Sequence, residues 1–421
     1  MKVNRQQERI LLLLAGVATL AGIFSVMLAK GVLGYVEAGA TGLLLTTWWG
    51  ISCYFQRQGS NGDSLLIPVA VLLSGIGLIM ILRLKPEIYL MQLLWMFLGT
   101  VVFFLSVYYC RRIETLSQFK YICGIMGVVL LLTAILFGVD IGGHRSWVIL
   151  GPVRFQPSEF AKLFIVLFLA GYLSEQRYLL SQFSRRLGPL HFPQPRFIAP
   201  LLTIWGLTMV MFVLQRDMGS ALMFFAIVII MTYMASGRSQ YITWGTLLFF
   251  LGAFFCYSLY PHIQTRVDIW LDPWADPNGR AYQIVQSLFA LGSGGVAGVG
   301  LAYGFPQMIP EVQTDFIFSA IGEELGFLGT GAVIILYMLL VYRAYGVSLY
   351  ASTPFTMLVS AGLATIMALQ VFLIIAGVTK FFPLTGITLP FVSYGGSSIV
   401  ANFIFLGMLF ALSEERSYDE R

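Results

Sequence analysis

The residues best placed for chemistry in this 421-residue chain stand where a long polar stretch, 260–314, runs into the apolar sequence Asp315-Phe-Ile-Phe. A carboxylate at the first turn of a membrane helix lies at headgroup depth, where the polar part of a lipid-linked substrate would meet it. Its chemistry there would be general base catalysis, the removal of a proton from an attacking hydroxyl. Thr314 or Asp315 would serve equally well as an ordinary helix N-cap. Glu323 and Glu324 follow in the same apolar run, about 12 Å deeper at the α-helical rise. Two more carboxylates in an apolar helix argue against a purely structural account, although both would also suit pairing with buried cations.

Other charges recur at similar junctions. Pro157 and Ser158 read as a helix start, which puts Glu159 and Lys162 on one face, within ion-pairing reach, inside an apolar span. Such a pair either neutralises itself or, more commonly, lines a cavity or pathway. Arg145 lies between the glycine-bearing turns of Gly142-Gly-His-Arg-Ser-Trp-Val-Ile-Leu-Gly. It offers a planar, permanently charged fork for phosphate oxygens, or it snorkels at the interface beside Trp147. Leu214-Gln-Arg-Asp-Met-Gly-Ser makes a tight hairpin carrying Arg216 and Asp217, readable as a solvated turn or as a site wall.

Within 260–315, Asp272 and Asp276 precede prolines and read as turn formers. Gln283 and Gln286 share a helical face. Their amides, and the backbone N–H groups of Gly292-Ser-Gly-Gly-Val-Ala-Gly-Val-Gly, suit sugar hydroxyls and phosphates. The glycine run has neither Walker spacing nor the context of a dinucleotide fold. Leu389-Pro-Phe-Val-Ser-Tyr-Gly-Gly-Ser-Ser breaks a helical pattern at membrane depth, which is tolerated only where the backbone is buried or lines a wet cavity.

The elements that must position these residues are membrane helices. The chain is 58% hydrophobic and 11% charged, and its 34 Phe outnumber its 25 Lys and Arg together, which excludes a soluble globular domain. Runs long enough to cross a hydrocarbon layer begin near Ile10, Ala38, Ser64, Ile88, Tyr121, Glu159, Phe197, Gly219, Tyr241, Phe316, Phe355 and Gly395. This predicts an all-α polytopic membrane protein of about twelve spans, with a long extracellular loop, 260–315, between spans nine and ten. The first run lacks a small-x-small cleavage site and reads as a retained span.

Lys2, Arg5, Arg9, Arg57, Arg111, Arg112, Lys120, Arg177, Arg185, Arg186, Arg196, Arg238, Arg343, Arg416 and Arg421 all fall on one side of that topology, so both termini are expected in the cytoplasm. Arg83 and Lys85 are the exceptions. The net charge of +5 therefore reads as a topology signal, with no nucleic acid implied. Cys53, Cys110, Cys123 and Cys256 lie in or beside apolar runs without Cys-x-x-Cys spacing, and three scattered histidines form no ligand set.

Taken in order, His144-Arg-Ser-Trp, Phe155-Gln-Pro-Ser-Glu-Phe-Ala-Lys, Leu214-Gln-Arg-Asp-Met-Gly-Ser, Tyr282-Gln-Ile-Val-Gln-Ser, Thr314-Asp-Phe-Ile-Phe, Gly322-Glu-Glu-Leu-Gly and Leu389-Pro-Phe-Val-Ser-Tyr-Gly-Gly-Ser-Ser resemble the SEDS family of bacterial cell-wall glycan polymerases, the family of RodA, FtsW and SpoVE. The resemblance runs from about Ser64 to the C-terminus. Family members typically have ten spans, so residues 1–60 read as an additional two-span segment before a polymerase core, 61–421. Arg216 stands where the family commonly has proline.

The resemblance implies a peptidoglycan glycosyltransferase of the bacterial cytoplasmic membrane that polymerises lipid II on its outer face, with Asp315 as the essential carboxylate. It implies a substrate-binding set of Arg145, Glu159, Lys162, Asp217, Gln283, Gln286 and Ser393, with Arg145 and Lys162 as electrostatic partners of the diphosphate. A divalent cation, Mg2+ or Mn2+, would suit the diphosphate, with Asp217 or Asp315 as its carboxylate, although no metal ligand set follows from the sequence. The implied partners are lipid II, membrane lipid and a class B penicillin-binding protein that cross-links the glycan. A lipid flippase or secondary transporter, or a non-catalytic scaffold, would share the spans and buried charges.

Overall fold

The computed structural model describes residues 5–31, 34–110, 113–141, 144–151, 153–181, 185–187, 190–192 and 195–415. Of the residues singled out above, Lys2, Arg111, Arg112, Gly142, Gly143, Arg416 and Arg421 lie outside these. Among the described residues there are fourteen α-helices: α1 Arg5–Lys30, α2 Tyr35–Arg57, α3 Leu66–Leu84, α4 Tyr89–Cys110, α5 Lys120–Phe137, α6 Pro157–Ser181, α7 Pro195–Gln215, α8 Met218–Ser236, α9 Gln240–Leu259, α10 Pro261–Leu271, α11 Tyr282–Gly294, α12 Ile317–Leu349, α13 Pro354–Val378 and α14 Gly396–Glu415. The protein is an all-α, multi-pass membrane protein.

All twelve expected runs are helical, but eleven are long and apolar enough to cross a membrane. The exception is α2, where Glu37, Thr41, Thr46, Thr47 and Ser52 dilute the apolar residues. It is nonetheless packed: Trp48 stacks on Phe403 of α14 at 5.4 Å, and Phe55 meets Phe410 at 4.8 Å. Expected as irregular loops, 139–155 and 185–192 instead contain strands. β1 Val139–Ile141, β2 His144–Leu150 and β3 Val153–Phe155 form an antiparallel sheet in that order, and β4 Arg185–Leu187 pairs with β5 Leu190–Phe192. The run Trp147-Val-Ile-Leu has the aromatic and β-branched composition of a strand, which the surrounding apolar helices obscure.

The described chain divides into two compact units, one of 5–107, 262–343 and 367–415, the other of 108–261 and 344–366. In the first, α1 packs on α2 and α3, and α3 on α14. Polar anchors join its N-terminal helices to the rest: Arg5 donates to the carbonyls of Ser60 and Gly62, and Asp63 pairs with Arg343. In the second, α5 packs on α6 and α7, and α8 on α6, α7 and α9. Buried residues make up 94% of the apolar stretch of α14 but 6% of that of α9, so α14 is a core span and α9 faces its surroundings.

One helix is broken. Within α12, Gly326 has φ 65 and ψ −163, a conformation that a side chain disfavours. The backbone groups released by the break are met by the glycine-rich run. Val299 and Gly300 donate to the carbonyls of Glu323 and Glu324, while Phe327 and Leu328 donate to those of Gly295 and Val296. The N–H groups of Val299 and Gly300, expected to suit phosphates, thus seal a gap in a membrane helix, as backbone in an apolar medium requires.

Candidate active site

Asp315 stands one residue before Phe316, which is buried, and two before α12 begins. Its turn is built from Pro310-Glu-Val-Gln-Thr. The Glu311 carbonyl accepts from both the Thr314 N–H (3.1 Å) and the Thr314 hydroxyl (2.9 Å), and the Gln313 amide donates to the Glu311 carboxylate at 2.9 Å. A second segment clamps the turn from outside it. Tyr394 N–H donates to the Gln313 carbonyl at 2.9 Å, and the Ser393 hydroxyl donates to the Thr314 carbonyl at 2.5 Å while accepting from Leu389 N–H at 3.0 Å.

The irregular stretch 389–394 is therefore the support on which Asp315 is mounted. It is itself anchored by Tyr337, whose hydroxyl donates to the Pro390 carbonyl, and by Gln92, whose amide donates to the Ser393 carbonyl. Ser393 is 2% exposed, with its hydroxyl bonded to the Thr314 carbonyl and the Leu389 N–H.

Asp315 remains half-buried. Gly386, at φ +69, approaches it so closely that a Cβ there would lie 3.6 Å from Asp315 Oδ2. Withdrawal from water pushes the Asp315 carboxyl up to about 6; the Thr314 hydrogen bond and the Arg266 charge draw it down, and the Glu311 charge adds to the rise. A carboxylate so tuned is a stronger base than one in water yet remains mostly ionised at neutral pH.

Arg266 lies on α10. One of its nitrogens donates to the Leu384 carbonyl at 3.1 Å, and Trp270, one turn later on the same face, donates to the Lys380 carbonyl at 3.2 Å. The segment 380–386 thus joins α10 to Asp315. Of the amides expected to meet substrate, Gln283 lines a cavity with Arg266, and both Gln283 and Gln286 are half-buried. Sequence reasoning had missed Arg266, Glu311, Gly386 and Tyr394. The spacing of Arg266 and Trp270 on a short amphipathic helix was the available signal for the first.

Glu323 and Glu324 prove to be internal fasteners. Glu323 accepts from Phe305 N–H at 2.7 Å; Glu324 accepts from Ala302 N–H at 3.0 Å and from Arg83 Nε at 2.9 Å. This pairing gives Arg83, an exception to the charge asymmetry, a reason to stand where it does. Lys30 donates to the Arg83 carbonyl beside it.

The remaining expected residues belong to the other unit. Lys162 Nζ donates to Glu159 Oε1 at 2.7 Å, with the two side chains 1% and 6% exposed. The Glu159 carboxylate binds Lys162 through this oxygen, while Oε2 has no protein partner. Asp217 is the N-cap of α8: Oδ1 accepts from Ser220 N–H at 3.0 Å and Oδ2 from the Ser220 hydroxyl at 2.7 Å. Next to it, Arg216 adopts φ 57, and its carbonyl meets His144 Nδ1 at 2.7 Å, tying the hairpin to β2. Arg145 is exposed on β2, with its Nε donating to the Gly138 carbonyl at 2.9 Å.

Each Asp217 oxygen accepts one hydrogen bond from Ser220, which leaves lone pairs on both. Among the described residues no three His, Cys, Asp or Glu side chains gather into a metal cage.

Known proteins place this geometry in a family. The family model for the FtsW, RodA and SpoVE cell cycle proteins matches residues 63–418. The chain is 35% identical to the peptidoglycan glycosyltransferase RodA of Mycobacterium tuberculosis, over 97% of this chain and 90% of that protein. It is 32% identical to the stage V sporulation protein E of Bacillus subtilis, over 85% of this chain and 99% of the other. Among solved structures, the crystal structure of Thermus thermophilus RodA superposes with a TM-score of 0.60 at 26% identity, covering 84% of this chain and 97% of that one. A chain from a peptidoglycan synthase complex that coordinates polymerization and crosslinking gives a TM-score of 0.66 at 25% identity, covering 84% and 98%. With its motifs in register and its fold shared, the chain belongs to the FtsW, RodA and SpoVE family, the SEDS family.

Proposed function

We propose that this protein is a peptidoglycan glycosyltransferase that polymerises lipid II, an undecaprenyl-diphosphate-linked disaccharide pentapeptide, and releases undecaprenyl diphosphate. The observation that carries the reading is the mounting of Asp315: a half-buried carboxylate, raised to about 6, held from both sides at the head of a membrane helix. In the reaction, the acceptor sugar's 4-hydroxyl gives its proton to the Asp315 carboxylate as its oxygen bonds to the donor's anomeric carbon. The bond from that carbon to the diphosphate oxygen breaks, and the electron pair leaves with the diphosphate.

Ser393 and Tyr394 act as positioning residues for this base. Glu159 and Lys162 act as a buried pair within their own unit, and the exposed Arg145 serves as a contact for anionic headgroups. A divalent cation, Mg2+ or Mn2+, would be held through the substrate phosphates and would neutralise charge on the leaving group. The termini lie in the cytoplasm and Asp315 on the outer side. A class B penicillin-binding protein is the partner that cross-links the product.

Purified protein in detergent, supplied with labelled lipid II, tests this. Polymer formed by the wild type and absent from Asp315→Asn is the expected result. Movement of lipid II across a bilayer, without polymer in detergent, would replace the enzyme with a flippase.

A further inference from the structure

Of the cations that the motifs offer for a diphosphate, Lys162 is paired with Glu159, and the exposed Arg145 belongs to the other unit. Three others surround one cavity in the unit that carries Asp315. It has a volume of about 180 Å3 and is walled by Arg266, Arg280 and Lys380, with Gln283 and Trp270 between them. One water takes about 30 Å3 in the liquid, so the space admits a group larger than solvent. Among the described residues that line it, none is a carboxylate. Arg280 is the most exposed of the three and lies 3.5 Å from Asp276, while no ion pair among the described residues involves Lys380.

Lys380 is also held in an unusual conformation, φ 60, where glycine would be unstrained. Its carbonyl accepts from the Trp270 indole N–H, and its own N–H donates to the Gly377 carbonyl. The wall continues toward the base: Leu384 lines the cavity and its carbonyl accepts from Arg266, and a Cβ on Gly386, two residues on, would lie 3.6 Å from Asp315 Oδ2.

We infer that this cavity receives the diphosphate of a polyprenyl-linked substrate, with Lys380 and Arg266 as its principal contacts, Arg280 at the rim, and Gln283 on an adjoining hydroxyl or phosphate oxygen. The inference rests on the glycosyltransferase reading and deepens it. Cations around the leaving oxygen stabilise the charge that develops there as the glycosidic bond to phosphate breaks. Arginine offers paired N–H groups to phosphate, and lysine a mobile point charge.

The test uses the full chain in detergent and farnesyl diphosphate as the probe, with farnesol and phosphatidylglycerol alongside. Lys380→Gly is the informative variant, because it removes the ammonium at a position where glycine relaxes the backbone. Binding of farnesyl diphosphate should weaken about tenfold, the scale of one lost charge-assisted contact, and the KM for lipid II should rise. Lys380→Arg should restore most of both, and Arg280→Ala should give a smaller loss. Arg177→Ala, which removes an equal charge from α6, should change neither.

Asp315→Asn should keep the binding while losing polymer. Binding that depends on Lys380 in a protein that never forms polymer would leave the site standing and sink the enzyme. Unchanged binding in Lys380→Gly, or equal binding of phosphatidylglycerol or farnesol, would overturn the diphosphate assignment.

Discussion

Glu159 and Asp315 are both carboxylates near the starts of membrane helices, and their surroundings differ in kind. Glu159 is in the first turn of α6, buried, with Lys162 one turn deeper neutralising it. Asp315 precedes α12, is half-buried, and among the described residues has no ion pair; its neighbours Ser393, Tyr394, Gln313 and Glu311 direct their hydrogen bonds to the turn that carries it. A buried charge with its counter-charge in contact stabilises a helix in place. A carboxylate whose backbone is clamped while its own charge is disfavoured is prepared to take a proton. Asp217 falls with Glu159, since both of its oxygens close the first turn of α8.

The largest test of this contrast is Asp315→Asn. Loss of a general base lowers the polymerisation rate about 10²–10⁴-fold, and the thermal midpoint should not fall, because the ionised group it removes is one that burial disfavours. A matching loss of folding would make Asp315 structural and erase the contrast. On the other side, Lys162→Met strands Glu159 without its counter-charge and should cost about 3–5 kcal/mol of stability, seen as a lower unfolding midpoint in detergent. Adding Glu159→Gln should recover much of it; if Lys162→Met melts like the wild type but loses polymer, the pair belongs with the chemistry.

A pH profile sharpens the comparison at a smaller scale. With its carboxyl raised to about 6, Asp315 loses the ionised form as pH falls through that value, so activity at pH 5 should be about tenfold below its plateau above pH 7. The stability sign is opposite: the folded state favours the protonated carboxyl, so its contribution to stability is present at low pH and lost as pH rises through 6. A profile flat from pH 5 to 7 would remove Asp315 as the titrating base. Smallest is the cap: Asp217→Ala should cost about 1 kcal/mol, and Asp217→Ser should restore most of it without changing KM for lipid II.

Much of this was legible in one dimension because the bilayer enforces it. Apolar runs separated by charged breaks become helices wherever the backbone must satisfy its own hydrogen bonds, and all twelve expected runs did so. Asp315 was legible because a lone acid at the junction of a polar stretch and an apolar run has few structural uses. Glu159 and Lys162 were legible as neighbours because one helical turn separates them. The strands at 139–155 were hidden by their brevity beside strong helical signals. The role of the glycine run was hidden because its partner, the break at Gly326, lies about thirty residues away.

The order of spans, the pairing of Lys162 with Glu159 and the standing of Asp315 at the head of an apolar run were decided by local sequence, since hydropathy and helical spacing act over one or two turns. Only the tertiary structure brought Ser393 and Tyr394 behind the Asp315 turn, Gly386 against its carboxylate, and Arg266, Arg280 and Lys380 around one cavity. Those contacts join residues up to 118 positions apart, as between Arg266 and Leu384. Hydrogen bonds and charges meet at such separations through packing alone, which no periodicity along the chain encodes.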